Sequence, residues 1–106
     1  MRLSPVIRPT VYRRLDNAEA EPVAQETYRV THMNTENARG VPEVTVPDDD
    51  LVLHHGSMGG IVLYDTAFHV PEPVYRGRKL VVLREMCANA METLAAEGVC
   101  EYERID

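Results

Sequence analysis

Hydrophobic positions in the last third of this 106-residue chain recur with a helical step. Leu80, Leu83, Cys87, Ala90, Met91 and Leu94 share one face of an amphipathic helix expected over about residues 78–97. Glu97-Gly98-Val99 supplies its stop. Glycine takes the left-handed conformation at the position after a helix cap, and an apolar residue beyond it folds back onto the last turn. Residues 99–105 then read as extended, so the chain closes helix–turn–strand.

Upstream the step changes from three or four to two. Residues 27–33 alternate, with Tyr28, Val30 and His32 on one face of an expected strand. Residues 51–55 and 61–70 are the clearest strands, joined by Gly56-Ser57-Met58-Gly59-Gly60 as a five-residue hairpin loop. In the longer of the two, Val62, Tyr64, Thr66, Phe68 and Val70 share the face expected to meet the core. Residues 34–40 carry turn chemistry, and 41–46 form a short segment interrupted by Pro42. Residues 1–15 hold strand formers, yet Pro5 and Pro9 cannot donate to a ladder, which predicts an arm or an edge strand. Residues 16–26, acidic and proline-containing, are expected to be a loop or linker.

The expected fold is α+β. A mostly antiparallel sheet of about four to six short strands carries one long C-terminal helix, and a final strand returns to the sheet. Residues 1–15 are the extended basic arm or edge strand, and residues 16–106 a single small domain.

Composition fits a small globular domain: 44% hydrophobic, one Phe, five Tyr and no Trp. Cys87 and Cys100 are too few for a disulfide framework; a bond between them is conceivable, but reduced thiols are expected. The first residues lack the apolar run of a secretory leader, and no segment nears the roughly 18 apolar residues of a membrane span. An intracellular or virion location follows as the expectation.

Charge divides the chain. The net charge of -6 disfavours direct nucleic-acid binding. Arg2, Arg8, Arg13 and Arg14 stand in the first fifteen residues with no acid among them. The remainder holds seven basic and seventeen acidic residues, a balance of -10. Arg76, Arg78 and Lys79 then crowd the helix N-terminus, where the macrodipole disfavours cations, while Glu92 and Glu97 lie towards the opposite end. Such charges are best tolerated when they hold an anion with the free helix amides or face an acidic patch on another chain, and with an acidic body on every copy the second is the more economical reading. Arg2, Arg8, Arg13, Arg14, Arg76, Arg78 and Lys79 are therefore the candidate partner-binding residues.

Catalytic and metal signals are weak. His32, His54, His55 and His69 match no zinc spacing, and His54 and His55 point to opposite faces of a strand. Asp48-Asp49-Asp50 lacks the Gly and Glu of a calcium loop, and the glycine-rich 56–60 segment lacks the Lys of a P-loop. Ser57 near His54 or His55 is the one candidate for nucleophilic chemistry, without a nucleophile elbow around it. No catalytic, cofactor-binding or metal-binding residue is assigned. The function expected is a non-enzymatic assembly protein contacting copies of itself or neighbouring subunits, a profile that fits a small phage or virus component (capsid accessory, connector or tail protein). Two alternatives stand beside it: a small acidic inhibitor that mimics nucleic acid, and a small enzyme or ligand-binding domain built on His54, Ser57 and the glycine loop.

Overall fold

A computed structural model describes residues 5–14, 20–42, 51–71, 73–74 and 80–105. Within them the fold is α+β: nine short strands and one long helix, with the ninth strand following the helix. The strands are β1 (Val6–Ile7), β2 (Thr10–Arg14), β3 (Ala20–Gln25), β4 (Tyr28–Met33), β5 (Leu51–His54), β6 (Ser57–Met58), β7 (Ile61–Val62), β8 (Asp65–Phe68) and β9 (Cys100–Arg104). The helix, α1, spans Leu80–Ala96. All pairings are antiparallel, in the orders β1-β4-β9, β3-β2-β5-β8 and β6-β7.

Nine strands exceed the four to six expected because two long ribbons are each bent. In the first, β2 pairs with β3 and β1 with β4, and the Glu26 N–H donates to the Pro9 carbonyl between them (3.2 Å). The pairing thus passes from one sheet to the other in one register, with a bulge between Val11 and Tyr12. In the second, β5–β8 runs into β6–β7 through His55 N–H to Tyr64 O (3.0 Å) and Leu63 N–H to Gly56 O (2.7 Å). The expected five-residue loop is therefore a two-residue turn. Gly59 and Gly60 both have positive φ (57° and 83°), the pair that a type I′ hairpin demands.

The two bends touch. Gly56 sits at φ 150°, a backbone conformation that favours glycine, and a Cβ there would meet Ile7 Cβ at 3.4 Å, in van der Waals contact. Bending splits the core into two clusters. Val11, Ala24, Leu51 and Leu53 pack with Leu83, Cys87 and Ala90 of α1. Ile7, Tyr28, Val30 and Leu63 pack with Met91, Leu94, Val99 and Cys100. The helix spans both clusters and ties the ribbons together.

Several expectations change at this level. The edge-strand expectation for residues 1–15 holds for β1, but β2 lies inside its sheet between β3 and β5. Pro9 does not expel the segment; it is buried at the switch between sheets, where its carbonyl still accepts the one ladder bond from Glu26. Residues 20–25, expected as linker, form β3, an outer strand on which Pro22 is tolerated. His32 leaves the Tyr28–Val30 face because the β4–β9 register shifts between Val30 and His32. Residues 61–70 are two strands, and their core side chain is Leu63, whereas Thr66 is exposed.

The helix stop forms as expected. Gly98 has φ 75°, the Val99 N–H donates to Leu94 O (2.9 Å) and the Gly98 N–H to Ala95 O (3.0 Å), the two bonds of a Schellman cap. Val99 is buried beneath it.

Candidate functional site

The cross-strand register decides where the charged side chains meet. Opposed strand residues pair as Arg13–Glu21 (3.4 Å) and Arg29–Glu103 (2.7 Å). Arg39 reaches Glu97 at 3.8 Å. Arg13, expected to seek an acid on another chain, has one on its own outer strand. Arg8 and Arg14 are exposed, while Arg2, Arg76, Arg78 and Lys79, like Asp48, Asp49 and Asp50, lie outside the described residues.

An open groove of about 300 Å³ lies between α1 and the strands, with Glu26, Tyr28 and Arg104 on the strand side. Glu26, from the junction of β3 and β4, lines it with a side chain only 15% exposed. Arg104 of β9 donates to Glu26 Oε2 (3.2 Å), and Arg84 of α1 lies 3.8 Å from Oε1. Tyr28 lines the groove from below; its hydroxyl is buried without a hydrogen-bond partner, and burial, then the Glu26 carboxylate, push its pKa up. Val81, Glu85 and Ala88 complete the helix side.

Beside this groove α1 begins with exposed aliphatics. Leu80, Val81 and Val82 are 42%, 66% and 44% accessible. Leu80 follows the helical step of the core positions but belongs to neither core cluster. The groove was not foreseen: Glu26, Arg84 and Arg104 meet from three elements far apart in sequence, and each alone reads as an ordinary surface charge.

The histidines assemble differently from a catalytic pair. His54 stands opposite Asp65, with Nδ1 2.8 Å from Oδ1, and its ring lies edge-on to Tyr12. Its carboxylate partner comes from β8, and Ser57 is exposed in β6. His55 points the other way into the core, 5% exposed, stacked on Tyr64 with ring centroids 3.9 Å apart. Its Nε2 lies 2.9 Å from Thr66 Oγ1, while Nδ1 is buried without a partner. Burial lowers its pKa, opposed by the nearby Asp65 and Glu97 carboxylates. His55 is thus a neutral core imidazole.

Both cysteines are free and buried, in different core clusters. Burial pushes the Cys87 thiol up to about 11 and the Cys100 thiol upward as well, so each stays protonated at neutral pH. Among the described residues no group of three or more His, Cys, Asp or Glu gathers in a metal-binding arrangement, and no helix is long and apolar enough to cross a membrane. Compared with known proteins, the chain matches no family model, no curated sequence and no solved structure.

Proposed function

We propose that this protein is non-enzymatic and works through contacts with other protein chains, as a small subunit of a larger assembly. The observation that carries the reading is the consecutive exposure of Leu80, Val81 and Val82. Successive helical residues are turned about 100° apart, so these three spread over more than half the helix circumference, and one sheet cannot cover them all. Three adjacent exposed aliphatics at the rim of a groove form the kind of surface that another chain buries. The exposed Arg8 would add a cation to such contacts.

The reading is tested on the full chain in an extract of its source cells. It should migrate well above its 12.0 kDa monomer mass. Leu80→Ser with Val82→Ser should return it towards the monomer, with the unfolding midpoint changed little because both sites are exposed. Migration as a monomer in that extract would overturn the reading.

A further inference from the structure

We infer that the groove-side face of α1, from Val81 to Ala88, pairs with the same face of a second copy, antiparallel about a two-fold axis passing between Arg84 and Glu85. The inference rests on the contact reading above and names its partner. Val81, Arg84, Glu85 and Ala88 follow a three- and four-residue step and form a stripe turned away from the core residues Leu83, Cys87 and Ala90. The stripe is self-complementary. Reversed upon itself about that axis, Val81 of one copy faces Ala88 of the other, and Arg84 faces Glu85 twice, once on each side.

Steric and charge matching therefore come from one symmetry operation, as an isologous interface requires. Val81, 66% exposed, would be the protruding side chain. Ala88 is half-buried at the groove wall and leaves the room into which it fits. The Arg84 side chain is 54% exposed, so its 3.8 Å contact with Glu26 leaves much of the guanidinium fork accessible to a second carboxylate. Glu85 is exposed. The contact is small by the standard of permanent dimers, so it belongs to the weak, reversible class, and further contacts in an assembly would build on it.

Charge reversal tests the pairing on the purified full chain. Sedimentation should show a monomer–dimer equilibrium over roughly 10 μM to 1 mM, the range suited to a contact this small. Arg84→Glu alone, and Glu85→Arg alone, each place like charges opposite one another twice. Each should weaken dimerisation about tenfold, with an unchanged far-UV spectrum. Mixing the two single variants should restore a dimer, now a heterodimer, because the two acidic positions of one face the two basic positions of the other. The double variant R84E/E85R should also recover self-association. If the single reversals dimerise as well as the wild type, or the mixture does not recover, the two-fold pairing is wrong. The contact reading then stands provided that L80S/V82S still lowers the mass in the source extract. A wild type that is monomeric at about 1 mM overturns the pairing, and monomeric migration in the extract overturns the reading beneath it.

Discussion

The two ends of α1 share one amphipathic pattern and meet opposite fates. At the C-terminal end Met91 and Leu94 are fully buried, Gly98 reverses the chain, and Val99 seals the cap against the same cluster. At the N-terminal end Leu80, Val81 and Val82 carry comparable hydrophobicity and stay in solvent. The difference lies in what is underneath. From Leu83 onward the bent ribbons supply Val11, Ala24 and Leu51, then Ile7, Tyr28 and Leu63, whereas Leu80 lies beyond them. Apolar periodicity marks a side able to be buried; burial itself needs a partner surface. One end therefore carries stability, and the other is free to carry contact.

The sharpest way to break this contrast is truncation at both ends. Leu94→Ala should cost about 2–5 kcal/mol, as large-to-small changes at fully buried sites do. Leu80→Ala should move stability by no more than about 0.5 kcal/mol, as exposed sites do. Urea unfolding midpoints decide it: comparable losses for both variants would mean that Leu80 is a core residue after all.

Gly56 asks whether the bends beneath the helix are as essential as the helix contacts. Its φ of 150° is a conformation that a side chain strains, while a Cβ there would only reach van der Waals contact with Ile7. Gly56→Val should destabilise by about 1–3 kcal/mol, the range for a residue held in a glycine-only region. The unfolding midpoint measures it, and an unchanged value would show that the second ribbon bends without glycine.

The cap gives a smaller effect at the buried end. Gly98→Val forces a β-branched residue to φ 75°, and its Cβ would stand 3.0 Å from the Asn37 Nδ2 that donates to the Gly98 carbonyl. A loss of about 1 kcal/mol or somewhat more is expected. Asn37→Ala in the same background should relieve part of the crowding, so the two changes should not add in thermal unfolding.

What was legible in the residues follows the same division between local and distant causes. The helix, its glycine stop and the final strand are specified by neighbours in sequence, and they formed as expected. β3 was missed because Glu21 and Pro22 mask an outer strand whose only buried side chain is Ala24. The inner place of β2 was hidden by Pro9, which reads as an edge signal and acts as a hinge between sheets. Alternation over residues 61–70 does not single out Leu63, because the second ribbon bends between His55-Gly56 and Leu63-Tyr64, where simple alternation ceases. The groove was illegible for a stricter reason: Glu26, Arg84 and Arg104 converge only through the tertiary fold, and an Arg-Glu pair such as Arg84-Glu85 is commonplace on a helix surface.

The gentlest probe of the buried end is titration of His55. Its ring is held between Tyr64 and the core, near Asp65, Glu97, His54 and the carbonyl of Ala90 on α1, with Nδ1 unpartnered. Burial is the largest influence and sets the folded pKa below the ordinary 6.5, despite the two carboxylates. In the unfolded chain the imidazole regains that ordinary value, so between the two pKa values the unfolded state binds more protons. Stability associated with the neutral ring is therefore fully present above about pH 6.5 and is lost as pH falls towards the lower, folded pKa. Denaturant midpoints compared at about pH 7.5 and about pH 5 should show the wild type weakening on acidification. His55→Phe keeps a ring against Tyr64 and removes the proton site, so its midpoint should fall less over the same interval. An equal fall in both proteins would assign the acid sensitivity to other groups and leave His55 as packing alone.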